Sequence, residues 1–230
     1  MILLDVLRQE KKYRISLLAY QQLDFRLQAI MQADQNNNGQ GYLVRSLYFD
    51  TVRDQDYAEK LDGLHERKKI RLRIYDPETK TVKLEMKEKI GENQRKRSLL
   101  VTKQEAQAFI QGDFKALLQY KNPFALELYG ILSFGCYRPK CIIEYRRKAY
   151  ISATNQTRLT FDYELQATEA NLDLFSEQLQ TRPIAPMDSV VFEVKYDHFL
   201  LTYIRDLIRS CNKTESAMSK YCMGRMINLT

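Results

Sequence analysis

Residues 67–89 read RKKIRLRIYDPETKTVKLEMKEK, with charged and apolar residues alternating on both sides of Asp76-Pro77-Glu78. In the first run Arg67, Lys69, Arg71 and Arg73 share one parity, and Lys68, Ile70, Leu72 and Ile74 share the other. In the second, Lys83, Glu85, Lys87 and Lys89 alternate with Val82, Leu84, Met86 and Glu88. Period two sends alternate side chains to opposite faces of a strand, and the proline turn predicts a hairpin. Four same-parity cations repel one another unless something anionic lies across them. Between Arg67 and Arg97 there are twelve Lys/Arg and five Asp/Glu, an excess of seven that equals the chain's formal net charge of +7. A solvated sheet surface usually mixes Thr, Ser, Gln, Lys and Glu, so a polyanion-binding face is the favoured reading.

The other bounds agree. A chain of 230 residues with 44% hydrophobic content is expected to form a single domain, residues 1–230. No apolar run approaches the roughly 18 residues of a membrane span, and the N-terminal MILLDVLRQEKKYR is not a secretory signal. The protein is therefore expected to be cytoplasmic and not itself membrane-spanning. Cys136, Cys141, Cys211 and Cys222 have neither CxxC spacing nor histidine neighbours, so they read as thiols in a reducing compartment. His65 and His198 are isolated, and the sequence has no GxxxxGK[ST] loop, GxSxG or HExxH.

Along the chain, residues 8–15 read as a strand and Ser16 as the cap of a helix to about Gln32. Strands are expected over residues 42–51, 94–101, 141–152, 158–166 and 190–196. Thr102 to Glu105 fits a capping box, Asn122-Pro123 opens a helix that Gly135 stops, and short helices are expected near Asp54–Leu61, Leu200–Ile208 and after Ser219.

Glu-x-Lys recurs in these strands as Glu10-x-Lys12, Glu85-x-Lys87 and Glu193-x-Lys195, with apolar residues on the other parity. Glu144-x-Arg146 and Arg158-x-Thr160-x-Asp162 are related patterns. An α+β fold satisfies them all: a closed antiparallel β-barrel with a charged interior, flanked by helices on its apolar exterior. Buried charges on that scale need pairing or counter-ions, which phosphates would supply to Lys and Arg, and a divalent metal to carboxylates. Arg suits phosphate because its planar fork bonds two oxygens, while Mg²⁺ and Mn²⁺ take oxygen ligands. Glu193 is the leading metal candidate, with Glu10 and Glu85 as further ones; a structural Glu–Lys pair is the plain alternative.

In order, EKKY (10–13), VRSLYFDT (44–51), EKLDG (59–63), KIRLRIY (69–75), LEMKEKIG (84–91), KRS (96–98), EYRRKAY (144–150), RLTFD (158–162), FEVKYD (192–197) and SKY (219–221) span nearly the whole chain. Together they resemble the VTC domain, the polyphosphate polymerase branch of the triphosphate tunnel metalloenzymes in the CYTH-like superfamily. The resemblance implies a tunnel that binds triphosphate or polyphosphate with Mn²⁺ or Mg²⁺. By motif, it implies phosphate binding by Lys12, Arg71, Arg73, Lys87, Arg147, Arg158, Lys195 and Lys220, with Arg45 and Arg97 as additions. Lys195, Lys220, Ser219, Arg71 and Arg73 fall at catalytic positions and Glu193 at the metal position. The YxRxA[FY] pattern selects Arg147, whereas strand parity with Glu144 selects Arg146. Arg8 stands where the superfamily's ExExK signature has its first glutamate, a departure that weakens a hydrolase more than a polymerase. Without the SPX domain and membrane segments of eukaryotic subunits, a free-standing bacterial-type tunnel domain is expected.

The implied reaction passes the γ-phosphate of ATP to a growing polyphosphate chain. The alternatives are a metal-dependent tripolyphosphate or nucleoside-triphosphate hydrolase, and a non-catalytic polyphosphate-binding module. Nucleic acid is not an expected partner, because the 15 Tyr and 10 Phe lie at apolar or motif positions rather than among the cations. A separate membrane protein as recipient of the product follows from the family alone.

Overall fold

The computed structural model describes residues 8–91, 93–217 and 219–228. In chain order its elements begin with β1 (Arg8–Ser16), α1 (Leu17–Ile30), β2 (Gln32–Ala33), β3 (Tyr42–Asp50), α2 (Gln55–Leu61), β4 (Glu66–Ile74), β5 (Thr81–Ile90) and β6 (Asn93–Thr102). Then follow α3 (Lys103–Ile110), α4 (Pro123–Phe134), β7 (Arg138–Ser152), β8 (Thr157–Thr168), β9 (Arg182–Pro183), β10 (Ser189–Asp197), α5 (Thr202–Arg209), β11 (Thr214–Glu215) and α6 (Lys220–Arg225). The expected strands and helices are present. The two-residue strands β2, β9 and β11 are too short for any periodicity to announce.

The chain divides into two compact units, and β3, β7 and β8 contribute residues to both. The first unit takes the described residues of Met1–Leu43, Tyr145–Leu165 and Ala185–Met218. Its antiparallel strands run β11-β1-β10-β8-β7. Ile15, Leu159, Phe161, Val190, Phe192 and Val194 point to one face, where α1 and α5 cover them with Ala19, Leu23, Leu27, Ile204 and Ile208. The Ser16 side chain accepts a hydrogen bond from the Ala19 amide, so the strand-to-helix turn is fixed locally. Gly41, at φ +76°, passes so close to the Arg147 carbonyl that any Cβ would overlap it.

The second unit takes Val44–Glu144, Gln166–Ile184 and the described residues of Ser219–Thr230. Its strands run β7-β3-β4-β5-β6. Ile70, Leu72, Ile74, Val82, Leu84, Met86, Leu99 and Val101 form its core with Ala106 and Phe109 of α3 and Ala125, Leu128 and Leu132 of α4. Burying each large aliphatic side chain is worth about 1.5–3 kcal/mol, and this apolar parity is what holds the helices to the sheet. The capping box of Thr102 and Glu105 and the Asn122 cap form as the sequence predicts.

Both units thus carry alternation of one kind: an apolar parity under helices and a polar parity on the other side. Among the described residues, β11 ends one ladder and β6 the other, so hydrogen bonding leaves the sheet open rather than closing it. No helix among them is long and apolar enough to cross a membrane.

Candidate active site

In the first unit, direct cross-strand pairing places opposite charges side by side. Glu10 pairs with Lys195 and Lys12 with Glu193, while Lys195 and Glu193 pair on their other side with Arg158 and Thr160. Residues directly opposite share a face. The Lys12 ammonium lies 3.0 Å from Glu10 Oε1 and 3.9 Å from Glu193 Oε1. The Lys195 ammonium lies 3.9 Å from Glu10 Oε1 and 3.2 Å from Glu193 Oε2. Two carboxylates therefore bracket two ammonium groups, and Glu193 is only 5% exposed.

Arg147 reaches the same group. It donates from Nε and Nη2 to the two oxygens of buried Asp162 (2.6 and 2.7 Å), with Nη2 4.0 Å from Glu193 Oε2. Burial opposes its charge, but Asp162, Tyr145 and Glu193 overcome it and raise its pKa well above the usual value. Arg146 instead pairs with Glu164 at the surface, so the family motif, not the Glu144 parity, identified the residue of this cluster. Arg158 donates to Asp34 at 2.8 Å and to the Tyr42 hydroxyl at 3.2 Å.

In the second unit the cationic hairpin forms with the predicted parity. Arg71 pairs with Tyr48 on one side and Glu85 on the other, and Arg73 with Ser46 and Lys83. Glu85 is 2% exposed. Its Oε2 accepts from Arg71 Nε at 2.8 Å and lies 2.7 Å from Nη2 and 3.7 Å from Arg73 Nη1, while Oε1 contacts Lys96. Burial alone would raise the Glu85 carboxyl, but Arg71, Arg73 and Lys96 hold it at about 2. Lys96 is lowered by its own burial and by Arg71 and Arg73, despite Glu85. Next along the face, Lys69, Lys87 and Lys96 stand directly opposite one another on three adjacent strands. Like charges so placed destabilise a sheet.

A network in the same unit fixes the start of α6. Asp50 accepts from the amides of Thr51, Asp56 and Tyr57 and from the Tyr221 hydroxyl at 2.6 Å. Arg225 forks onto Asp54 and also bonds Glu169. Ser219 caps α6, and its Oγ accepts from the Cys222 amide and, at 2.7 Å, from the Lys69 ammonium, which leaves its own O–H to donate. Lys220 is the first residue of that helix. Asp56 accepts from the Tyr137 hydroxyl and lies 3.5 Å from Lys68, yet burial dominates and pushes its carboxyl up to about 7. The other oxygen of that carboxyl is buried with no hydrogen-bond partner among the described residues.

Two expected phosphate ligands are not on these faces. Arg45 shares the apolar parity of Leu47 and Phe49 and is spent on Glu144 and the carbonyls of Leu174 and Ser176. Arg97 pairs opposite Met86, bonds Glu88 and Glu127, and stacks over Phe124. Both are consumed structurally. The residue of the KRS motif that joins Glu85 is Lys96, which the sequence reading missed. Two residues separate Ile90 from Asn93, and that loop length alone sets Lys87 opposite Lys96. The Arg8 side chain lies outside the described residues.

No cluster of three His, Cys, Asp or Glu side chains among the described residues makes a complete metal site. Glu10 and Glu193 nevertheless fit a hard divalent cation in part: they are oxygen donors converging on the same two ammonium groups, which a dication would displace. Glu85 fits poorly, because its oxygens already meet two guanidinium groups and a lysine.

A chain from Hippeastrum, described by its dominant triphosphatase activity, shares the fold at TM-score 0.57 and 16% identity, covering 94% of each chain. A candidate adenylate cyclase of Bacillus halodurans gives TM-score 0.52 at 13% identity over 91% of this chain and 96% of that one. At such identities the likeness shows the fold alone. No curated protein matches by sequence. The model of the VTC domain matches residues 7–228, nearly the full length, and the chain belongs to the VTC domain family.

Proposed function

We propose that this protein is a polyphosphate polymerase, transferring the γ-phosphate of ATP to the end of an inorganic polyphosphate chain. The observation that carries the reading is the row Lys69–Lys87–Lys96 beside the Arg71–Arg73–Glu85 group, five cations to one carboxylate among these six side chains, an excess that a polyanion would balance. The reading takes residues 1–230 as one cytoplasmic tunnel domain with the charged faces inside. It leaves the product to a separate membrane protein.

Phosphoryl transfer asks little covalent work of a protein; it asks for alignment and for neutralised charge. Lys12, Lys87, Arg147, Arg158 and Lys195 would hold the phosphates in line. Arg71 and Arg73, already fixed by Glu85, Tyr48 and Ser46, meet developing charge without reorganising. Lys220 and the Ser219 O–H would donate at the transferring phosphate. An ionised terminal phosphate is itself the nucleophile, so no general base is required. Mn²⁺ or Mg²⁺ held by Glu193 with Glu10 would neutralise phosphate oxygens when bound.

The triphosphatase activity of the Hippeastrum protein favours a second reading, a hydrolase using the same residues on water. Incubation of the purified chain with ATP and Mn²⁺, with products resolved by length, separates them. Long phosphate polymers with ADP support the polymerase and orthophosphate alone the hydrolase. Polyphosphate binding without either product refutes both and leaves a binding module.

A further inference from the structure

We propose that a cleft at the Arg14 end of β1 is an additional phosphate subsite that holds polyphosphate beyond the Lys12–Glu193 pair; the inference rests on the polyphosphate reading. The cleft has a volume of about 390 Å³ and is lined by Arg14, Ser16, Asp188, Ser189, Asn212 and Lys213, among others. Arg14 has the parity of Glu10 and Lys12, and antiparallel pairing continues the charged face in steps: Glu10 with Lys195, Lys12 with Glu193, Arg14 with Val191, Ser16 with Ser189. Each step advances about 7 Å along the strand. Arg14 is exposed, its cross-strand neighbours Val191 and Thr214 are neutral, and it meets no carboxylate at ion-pair distance among the described residues.

The rest of the cleft suits phosphate oxygens. Ser16 and Asn212 line the cleft with Arg14, and the Ser16 hydroxyl, which accepts from the Ala19 amide, keeps its O–H to donate. The Ser189 Oγ is buried with no hydrogen-bond partner among the described residues, in a residue 9% exposed. Lys213 contributes mainly its stem, because its ammonium bonds the Ile208 and Cys211 carbonyls. Asp188 is the one opposing charge named in the lining, so the subsite is weakly cationic and suits a chain already anchored at Lys12 and Lys195. A triphosphate seated on Lys12 and Lys195 spends its phosphates there, whereas a long chain has further phosphates for Arg14.

Calorimetric titration of tripolyphosphate and of a long polyphosphate into the wild type, Arg14→Glu and Ser189→Ala chains tests this. Arg14→Glu is expected to weaken the long chain about tenfold more than it weakens tripolyphosphate. Ser189→Ala is expected to shift the same ligand in the same direction, by less. The tripolyphosphate arm reports whether each variant still folds its central site. Equal loss for both ligands, or an unchanged long-chain affinity in Arg14→Glu, overturns the subsite alone. Failure of the unaltered chain to bind either ligand overturns the polyphosphate reading with it.

Discussion

Replacing Glu85 with Gln tests the charge balance of the hairpin. Glu85 is held at about 2 against an ordinary value of 4.5 although burial opposes its charge. That displacement corresponds to about 3 kcal/mol, at about 1.4 kcal/mol per pH unit. Arg71 and Arg73 supply most of it, because the Lys96 side chain is 52% exposed and its share is screened. The lowered pKa means that the unfolded chain takes up the proton first on acidification. The stabilisation is therefore complete above 4.5 and is lost as pH falls toward about 2. Glu85→Gln should cost about 3 kcal/mol at pH 7, or about 6–12 °C in Tm. The difference from wild type should shrink steadily below pH 4.5. Excess tripolyphosphate should narrow the gap at pH 7, since an anion then faces the guanidinium groups. Urea or thermal denaturation from pH 2 to 7 measures all three effects. A stability difference that is constant across that range refutes the argument, whatever its size.

Arg71→Ala and Lys195→Ala should each lower the rate of polymer formation by about 10²–10³, the usual loss for one fixed charge donor at a transferring group. Wild-type rates in length-resolved product assays would remove both from the mechanism. Glu193→Gln should shift the Mn²⁺ concentration for half-maximal activity upward at least tenfold, and an unmoved titration excludes its metal role. Asp56 has the opposite sign to Glu85. Its raised pKa makes ionisation a burden that grows as pH rises from 3.8 to about 7. Asp56→Asn should accordingly be more stable than wild type at pH 8, by up to about 4 kcal/mol, and no different at pH 3; equal urea midpoints at pH 8 would contradict this.

The charged faces were readable because period two is a local property. Arg71, Arg73, Glu85 and Lys87 fall on one face, as do Glu10, Lys12, Glu193 and Lys195, in any fold that keeps these strands. The two misplaced residues broke that same rule. Arg45 has the parity of Leu47 and Phe49, and Arg97 that of Leu99 and Val101, so alternation argued against both while motif position argued for them. Arg147 is the converse case, where the motif identified the clustered residue and the parity with Glu144 did not.

The sequence by itself determined which side chains face together, where Ser16, Thr102 and Asn122 start helices, and how much cationic charge the hairpin carries. Those features depend on alternation, on a cap two or three residues away and on a count. Only the tertiary structure decided who meets whom: Lys69 on Ser219 across 150 positions, Tyr221 on Asp50 across 171, and Arg45 on Glu144 across 99. The strength of an ion pair depends on separation and burial, and distant segments acquire both only once register and packing bring them together.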